Sequence, residues 1–159
     1  MASNYHIKFS AVKGESKDDK HKDEIDIQSF SIGGSNSGGS HYGGGGGVGK
    51  VEVHDFSFTK SVDAATHGLW ANLFTHKVDP TVTLTCTKGG GDPFDYMIIT
   101  MTNVIITNIQ ESGHGDYVSE NVSIKFETIE IKYQEQDKDG KKHGGEKLTK
   151  YDVKAAKAA

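Results

Sequence analysis

The sequence predicts a mostly β fold with one amphipathic helix at about residues 63–76. Three observations carry that expectation. Most segments alternate apolar and polar residues with period two, and Thr, Val and Ile dominate them, as half-buried pleated surfaces favour. One stretch, DAATHGLWANLFTH, changes to helical spacing. The long strands also switch the phase of their alternation partway along, and the bends this implies suit a closed barrel.

Taken in order, Tyr5 to Val12 reads as the first strand, followed by the charged loop GESKDDKHKD. Glu24 to Ile32 is the second, and a long glycine-rich loop at about 33–49 leads to the third, Lys50 to Thr59. The helix comes next. Ala65, Leu69 and Leu73 share one stripe, with Trp70 and Phe74 beside it. Asp63 is the expected N-cap and Ser61 the alternative. The four large residues of that face need an apolar surface, which the end or flank of a barrel supplies. Asp79-Pro80 stops the helix. In Pro80 to Lys88, Val82, Leu84 and Cys86 face one way and Thr83, Thr85 and Thr87 the other. GGGDP reverses the chain into Phe94 to Gln110, a long strand or bent pair. After the turn SGHGD, Val118 to Tyr133 is the last long strand. Beyond it, residues 137–147 read as solvated and flexible, with Leu148, Tyr151 and Val153 as anchors. One domain is expected over 1–153, with a disordered tail at 154–159.

The phase switches are specific. Ile25 and Ile27 are odd but Phe30 and Ile32 even; Val51 and Val53 odd but Phe56 and Phe58 even. Val122, Ile124 and Phe126 are even but Ile129, Ile131 and Tyr133 odd. Bulges are therefore predicted near Gln28–Ser29, His54–Asp55 and Glu127–Thr128. The alternative is burial of both faces at those points, which suits an oligomer whose strands a neighbour covers. Met97–Ile109, apolar on both faces, points the same way.

Composition narrows function. The chain has 159 residues and a net charge of −4; all 18 basic residues are Lys. Without Arg, the preferred fork for phosphate and base edges, nucleic acid is not expected as a partner. Cys86 is the single cysteine, so no intramolecular disulfide forms, and its position predicts a small buried hydrophobe rather than a nucleophile. MASNYHIKFS lacks the apolar stretch of a secretory signal, and no run approaches the ~18 apolar residues of a membrane helix. The reading is a chain made in the cytoplasm, without membrane insertion.

Chemical motifs are incomplete. HYGGGGGVGKVEV contains Gly44, four residues, then Gly49-Lys50, most of a phosphate-binding loop. Residue 51 is Val, which cannot ligate Mg²⁺, and a strand pattern follows where a helix is required. Eight histidines have no zinc-type spacing, and Asp137-Lys138-Asp139-Gly140 lacks the later ligands of a calcium loop. There is no GxSxG. No enzyme activity, metal or cofactor is expected. From the residues alone, the protein is a one-domain oligomer with a long glycine loop, or a monomeric barrel binding a small ligand in its interior.

Several stretches go further. VKGESKDDKHKDEIDIQSFSIG, GGGGGVGKVEVHDFSFTKSVDAATHGL, YMIITMTNV and SENVSIKFETIEIKYQEQDKDGK, in that order, resemble the haemolysin-coregulated protein (Hcp) family of type VI secretion. The most specific pieces are Lys13-Gly14-Glu15-Ser16, Gly49-Lys50-Val51 with Phe56-Ser57-Phe58-Thr59-Lys60, and Glu120-Asn121-Val122. Lys150-Tyr151 departs from the Gly-Trp often found there. The resemblance implies a compact β-barrel of two antiparallel sheets that forms a homohexameric ring, stacked into the inner tube of a contractile injection machine, with a spike protein at its tip and a sheath around it. It also implies small effector proteins in the lumen and export without a signal peptide. Ser31 then matches a lumen-facing position. His41, Tyr42, Gly43, Gly44, Gly45, Gly46, Gly47, Val48 and Gly49 become candidates for stacking contacts between rings. Glu15, Lys17, Asp18, Asp19, Asp116 and Glu120 become candidates for the ring rims.

Overall fold

The computed structural model describes residues 4–38, 49–89 and 93–158. Among the described residues, twelve strands and one helix follow in chain order. They are β1 (Tyr5–Phe9), β2 (Ile25–Ile27), β3 (Ser29–Ser31), β4 (Gly34–Asn36), β5 (Val51–Val53), β6 (Phe56–Ser61) and α1 (Thr66–Thr75). Then come β7 (Asp79–Lys88), β8 (Phe94–His114), β9 (Tyr117–Lys125), β10 (Thr128–Tyr133), β11 (Lys147–Asp152) and β12 (Lys157–Ala158).

Two antiparallel sheets share β8. The first, sheet A, runs β12-β11-β10-β8-β7-β1-β2. The second, sheet B, runs β3-β6-β9-β8. Residues 94–104 of β8 pair in sheet A, and residues 105–114 pair with β9 in sheet B. The sheets face each other across one core, which includes Ile7, Phe56, Phe58, Leu84, Ile99, Met101 and Val122, all at most 1% exposed. Aromatic rings bridge the layers: Phe9 meets Phe58 at 6.3 Å, and Tyr5 meets Phe30 edge-on at 5.3 Å. The hydrogen-bonded ladder does not close into a continuous cylinder; the corners are made by chain that leaves one sheet and enters the other.

Those corners account for the phase switches. Gln28 separates β2 of sheet A from β3 of sheet B; His54 and Asp55 separate β5 from β6; Phe126 and Glu127 separate β9 of sheet B from β10 of sheet A. Each predicted bulge is instead an interruption where the inward face changes, so the apolar parity changes with it. The register shifts lie elsewhere, at Cys86/Thr87 and at Ile106/Asn108, the second where β8 turns its corner.

Three further expectations need correction. The helix begins at Thr66 with Ala65 as N-cap and no side-chain cap. Asp63 sits earlier, its Oδ1 accepting the Ala65 N–H at 2.9 Å. On the helix, Ala65 and Leu69 are buried, but Phe74 is 71% exposed, its ring against that of Trp70; Asn72 takes the buried position instead. The glycine loop is not loop throughout. β4 and β5 form a two-stranded ribbon at its base, extended by the Ser37 N–H to the Lys50 carbonyl. Finally, Lys147–Asp152 forms β11 along β10, and residues 154–158, expected to be disordered, turn back into β12.

Candidate functional site

The pieces of sequence that carried the resemblance meet in space. Lys60 and Glu120 lie directly opposite on β6 and β9, both fully buried. The Lys60 ammonium donates to Glu120 Oε2 at 2.7 Å, to Asp63 Oδ1 at 2.7 Å and to Thr66 Oγ1 at 3.1 Å. Thr66 Oγ1 donates to Glu120 Oε2 at 2.9 Å. Glu15 joins from the side, its Oε1 accepting the Ala64 N–H at 2.9 Å. This network fastens the start of α1 to sheet B. Glu120 therefore cannot serve a ring rim as the sequence suggested; its carboxylate is inside the barrel. Its parity was legible: Lys60 falls in step with Phe56 and Phe58, and Glu120 with Val122 and Ile124.

A second buried polar cluster pins the 13–24 loop, and no sequence spacing announced it. The rings of His6 and His21 stack at 4.7 Å. His6 Nε2 lies 3.1 Å from Asp26 Oδ1. His21 is held from both sides, Nδ1 to Glu24 at 2.9 Å and Nε2 to Asp95 of β8 at 3.0 Å. Burial pushes the imidazole down, but the Asp95 hydrogen bond and the charges of Glu24 and Asp95 outweigh it and hold His21 above its ordinary value. A raised histidine stabilises the fold fully below its unfolded value and loses that contribution as pH rises through the folded one. His21→Gln is thus expected to lower the melting temperature most near about pH 6 and least near about pH 9, checked by melts of both proteins across that range.

The remaining candidates divide between the two ends of sheet B. At one end, β6 closes at Ser61, opposite Ser119 of β9 and next to the β8–β9 turn that carries exposed Asp116. The Tyr117 hydroxyl there accepts hydrogen bonds from Gln28 and Ser61. Beside these lies a cleft of about 900 Å³ lined by Glu15, Lys17, Asp18, Asp26, Ser61 and Asp63 among others. Exposed Asp19 lines an adjoining hollow. At the other end, Ser31 of β3 pairs with Ser57, and the chain continues into the β4–β5 ribbon. Gly49 is packed there against Asn36 and Gly38, where a Cβ would lie 2.3 Å from Asn36 Oδ1. His41 to Val48 lie outside the described residues.

Between the ends, the outward side of sheet B is small and polar. Ser31, Ser57 and Ser123 form one row across β3, β6 and β9, with Ser57 and Ser123 hydrogen-bonded at 2.9 Å. Ser29, Thr59 and Asn121 form the next. Ser31 is exposed.

Cys86 is 1% exposed, and burial pushes its thiol up to about 11, which is the chemistry of a core residue. Lys50 leads straight into β5, so no helix N-terminus follows the glycines to hold a phosphate. Among the described residues, no group of three or more His, Cys, Asp or Glu is arranged to hold a metal, and no helix is long and apolar enough to cross a membrane.

The ordered polar networks tie the protein to itself; fold and site together define a two-sheet β protein with a small, polar outer face on sheet B. The sequence profile described as "Type VI secretion system effector, Hcp" matches residues 6–133. Protein hcp1 of Pseudomonas aeruginosa is 44% identical over 148 residues, covering 91% of each chain. A solved structure titled "Structure of a type six secretion system protein" superposes with a TM-score of 0.90 at 28% identity, covering 99% of this chain and 100% of that one. Hcp1 from Salmonella typhimurium gives a TM-score of 0.80 at 28% identity over the whole of both chains. The chain belongs to the Hcp family of the type VI secretion system.

Proposed function

We propose that this chain is a structural subunit of the secretion tube. Six copies close into a ring, rings stack into the injected inner tube, and small effector proteins travel in the lumen. The observation that carries this reading is the outward face of sheet B, whose Ser31-Ser57-Ser123 row is small, polar and uncharged. Such a face lines a channel that proteins can occupy and leave, because hydrogen-bonding hydroxyls hold cargo without large apolar anchors. The placement of the other candidates supports stacking. The β4–β5 ribbon leaves one end of sheet B, and the Glu15–Asp19 loop and Asp116 stand at the other. In a stack, the glycine ribbon of one ring meets the loop-bearing rim of the next. A spike at the tube tip and a surrounding sheath complete the partners, and export proceeds through the machine itself from the cytoplasm. We assign the chain no catalytic role and no cofactor.

Ser31→Gln enlarges one side chain on this face. It is expected to leave ring mass and melting temperature unchanged and to reduce co-purification of a co-expressed effector at least tenfold. Undiminished effector recovery with the variant would remove Ser31 from the lumen.

A further inference from the structure

His6 is buried on the outward side of its strand. Along β1, Ile7 and Phe9 belong to the core, so His6 and Lys8 share the outer face of sheet A. Lys8 is exposed there, but His6 is only 1% exposed, because the 13–24 loop folds back and lays the His21 ring over it. The base of that loop is a small ladder of its own. The Gly14 and Ser16 N–H groups donate to the Asp23 and Glu24 carbonyls, and the Asp23 N–H returns to the Ser16 carbonyl. The tip, residues 17–22, is tied to the strands by the His21 ring. Beside it, the exposed Lys20 ammonium donates to the Pro93 carbonyl at 2.9 Å.

The hydrogen-bond pattern fixes where the protons sit. Both ring nitrogens of His21 face carboxylate oxygens, Glu24 Oε2 at 2.9 Å and Asp95 Oδ1 at 3.0 Å. Ionised carboxylates only accept, so both nitrogens must carry hydrogen and the ring is an imidazolium. His6 has the opposite pattern. Its Nε2 faces Asp26 at 3.1 Å, while its Nδ1 is buried with no hydrogen-bond partner among the described residues. A hydrogen on Nδ1 would have no acceptor, so this ring is neutral and turns its π face to the cation stacked 4.7 Å away. The charges facing the pair are Asp18 on the tip, Glu24 at the base, Asp26 on β2 and Asp95 on β8, all carboxylates. Asp95 is itself fixed by the Thr87 hydroxyl at 2.9 Å. Without its proton, His21 turns a bare lone pair toward one carboxylate, and the clasp loses its only cation facing these four acids.

We infer that His21 is a one-proton clasp: as an imidazolium it holds residues 17–22 against β1 and β8, and loss of that proton frees the tip while the barrel stays folded. The tip lifts alone because the base ladder is backbone and does not titrate. The direction follows from the charge: the clasp is shut at acid and neutral pH and opens as pH rises. Lys17, Asp18 and Asp19 ride on the tip, so one proton decides whether these three are held against the barrel. The device belongs to the single chain and works whether or not copies assemble.

Two measurements on the full chain test this. Long-range proton–nitrogen spectra of the imidazoles near about pH 6.5 should show two protonated nitrogens on His21 and one on His6. Trypsin cleavage is then followed by mass spectrometry, each rate divided by that of a lysyl peptide at the same pH. Cleavage at Lys17, Lys20 and Lys22 is expected to be about tenfold faster near about pH 9 than near about pH 6.5, while circular dichroism is unchanged and buried Lys60 stays uncut. His21→Gln should be cut at the tip at the faster rate at both pH values. His6→Phe keeps a ring in the stack and should keep the pH response. A bare nitrogen on His21 near about pH 6.5 overturns the clasp, and so does a tip cut equally at both pH values. Cleavage at Lys60 rising together with the tip overturns it as well, because the whole barrel would then be opening. A pH response lost in His6→Phe and kept in His21→Gln would move the proton to the other ring and overturn the assignment. If His21→Gln does not fold, the spectra and cleavage of the unaltered protein still decide.

Discussion

Lys60→Met is expected to destabilise the barrel by about 3–5 kcal/mol, because it leaves Glu120 buried without its counter-ion. Glu120 is fully buried; one carboxylate oxygen is shared by Lys60 and Thr66, and the other has no hydrogen-bond partner among the described residues. Removing the ammonium also strips donors from Asp63 and frees the first turn of α1. Replacing both partners, as Lys60→Met with Glu120→Leu, removes the uncompensated charge. The double variant is therefore expected to recover most of the loss. Urea unfolding of the three proteins checks both statements. A single variant as stable as the parent would show that the pair does not hold the helix to the sheet.

Gly14→Ala acts on backbone. A Cβ at position 14 would lie 2.3 Å from the Glu24 carbonyl oxygen and 2.7 Å from Ile25 Cα, and neither is a side chain that can swing aside. The Gly14 N–H also donates to the Asp23 carbonyl at 2.8 Å. The loop must separate from the start of β2, pulling Glu15 from the Ala64 amide and His21 from Asp95. A cost of about 1–3 kcal/mol is expected from overpacking of this kind. The released loop should also be cleaved faster by trypsin at Lys17, Lys20 and Lys22. Gly89→Ala, whose Cβ would meet nothing within 4 Å, is the control and should change neither measurement.

Much of this architecture was legible in the residues. The period-two segments became strands, and each of the three phase switches marked a corner where chain passes between sheets. What was misread was their form: a strand that stops and restarts leaves the same parity change as a bulge. β11 escaped notice because KLTKYD is exposed along most of its length and carries no alternation to read. Phe74 was misplaced because helical spacing identifies a stripe but not how wide a surface will cover it. The polar outer face of sheet B was harder still. Ser31, Ser57 and Ser123 are ordinary in sequence, and only strand register sets them in one row. His6 and His21 lie on separate elements and meet through tertiary packing alone.

The proposed tube subunit must close into a ring. Size-exclusion chromatography with light scattering on the purified protein tests it most directly, at several concentrations and at low and high salt. The expected result is a mass of about six chains. A mass of one chain at every concentration and salt would contradict it.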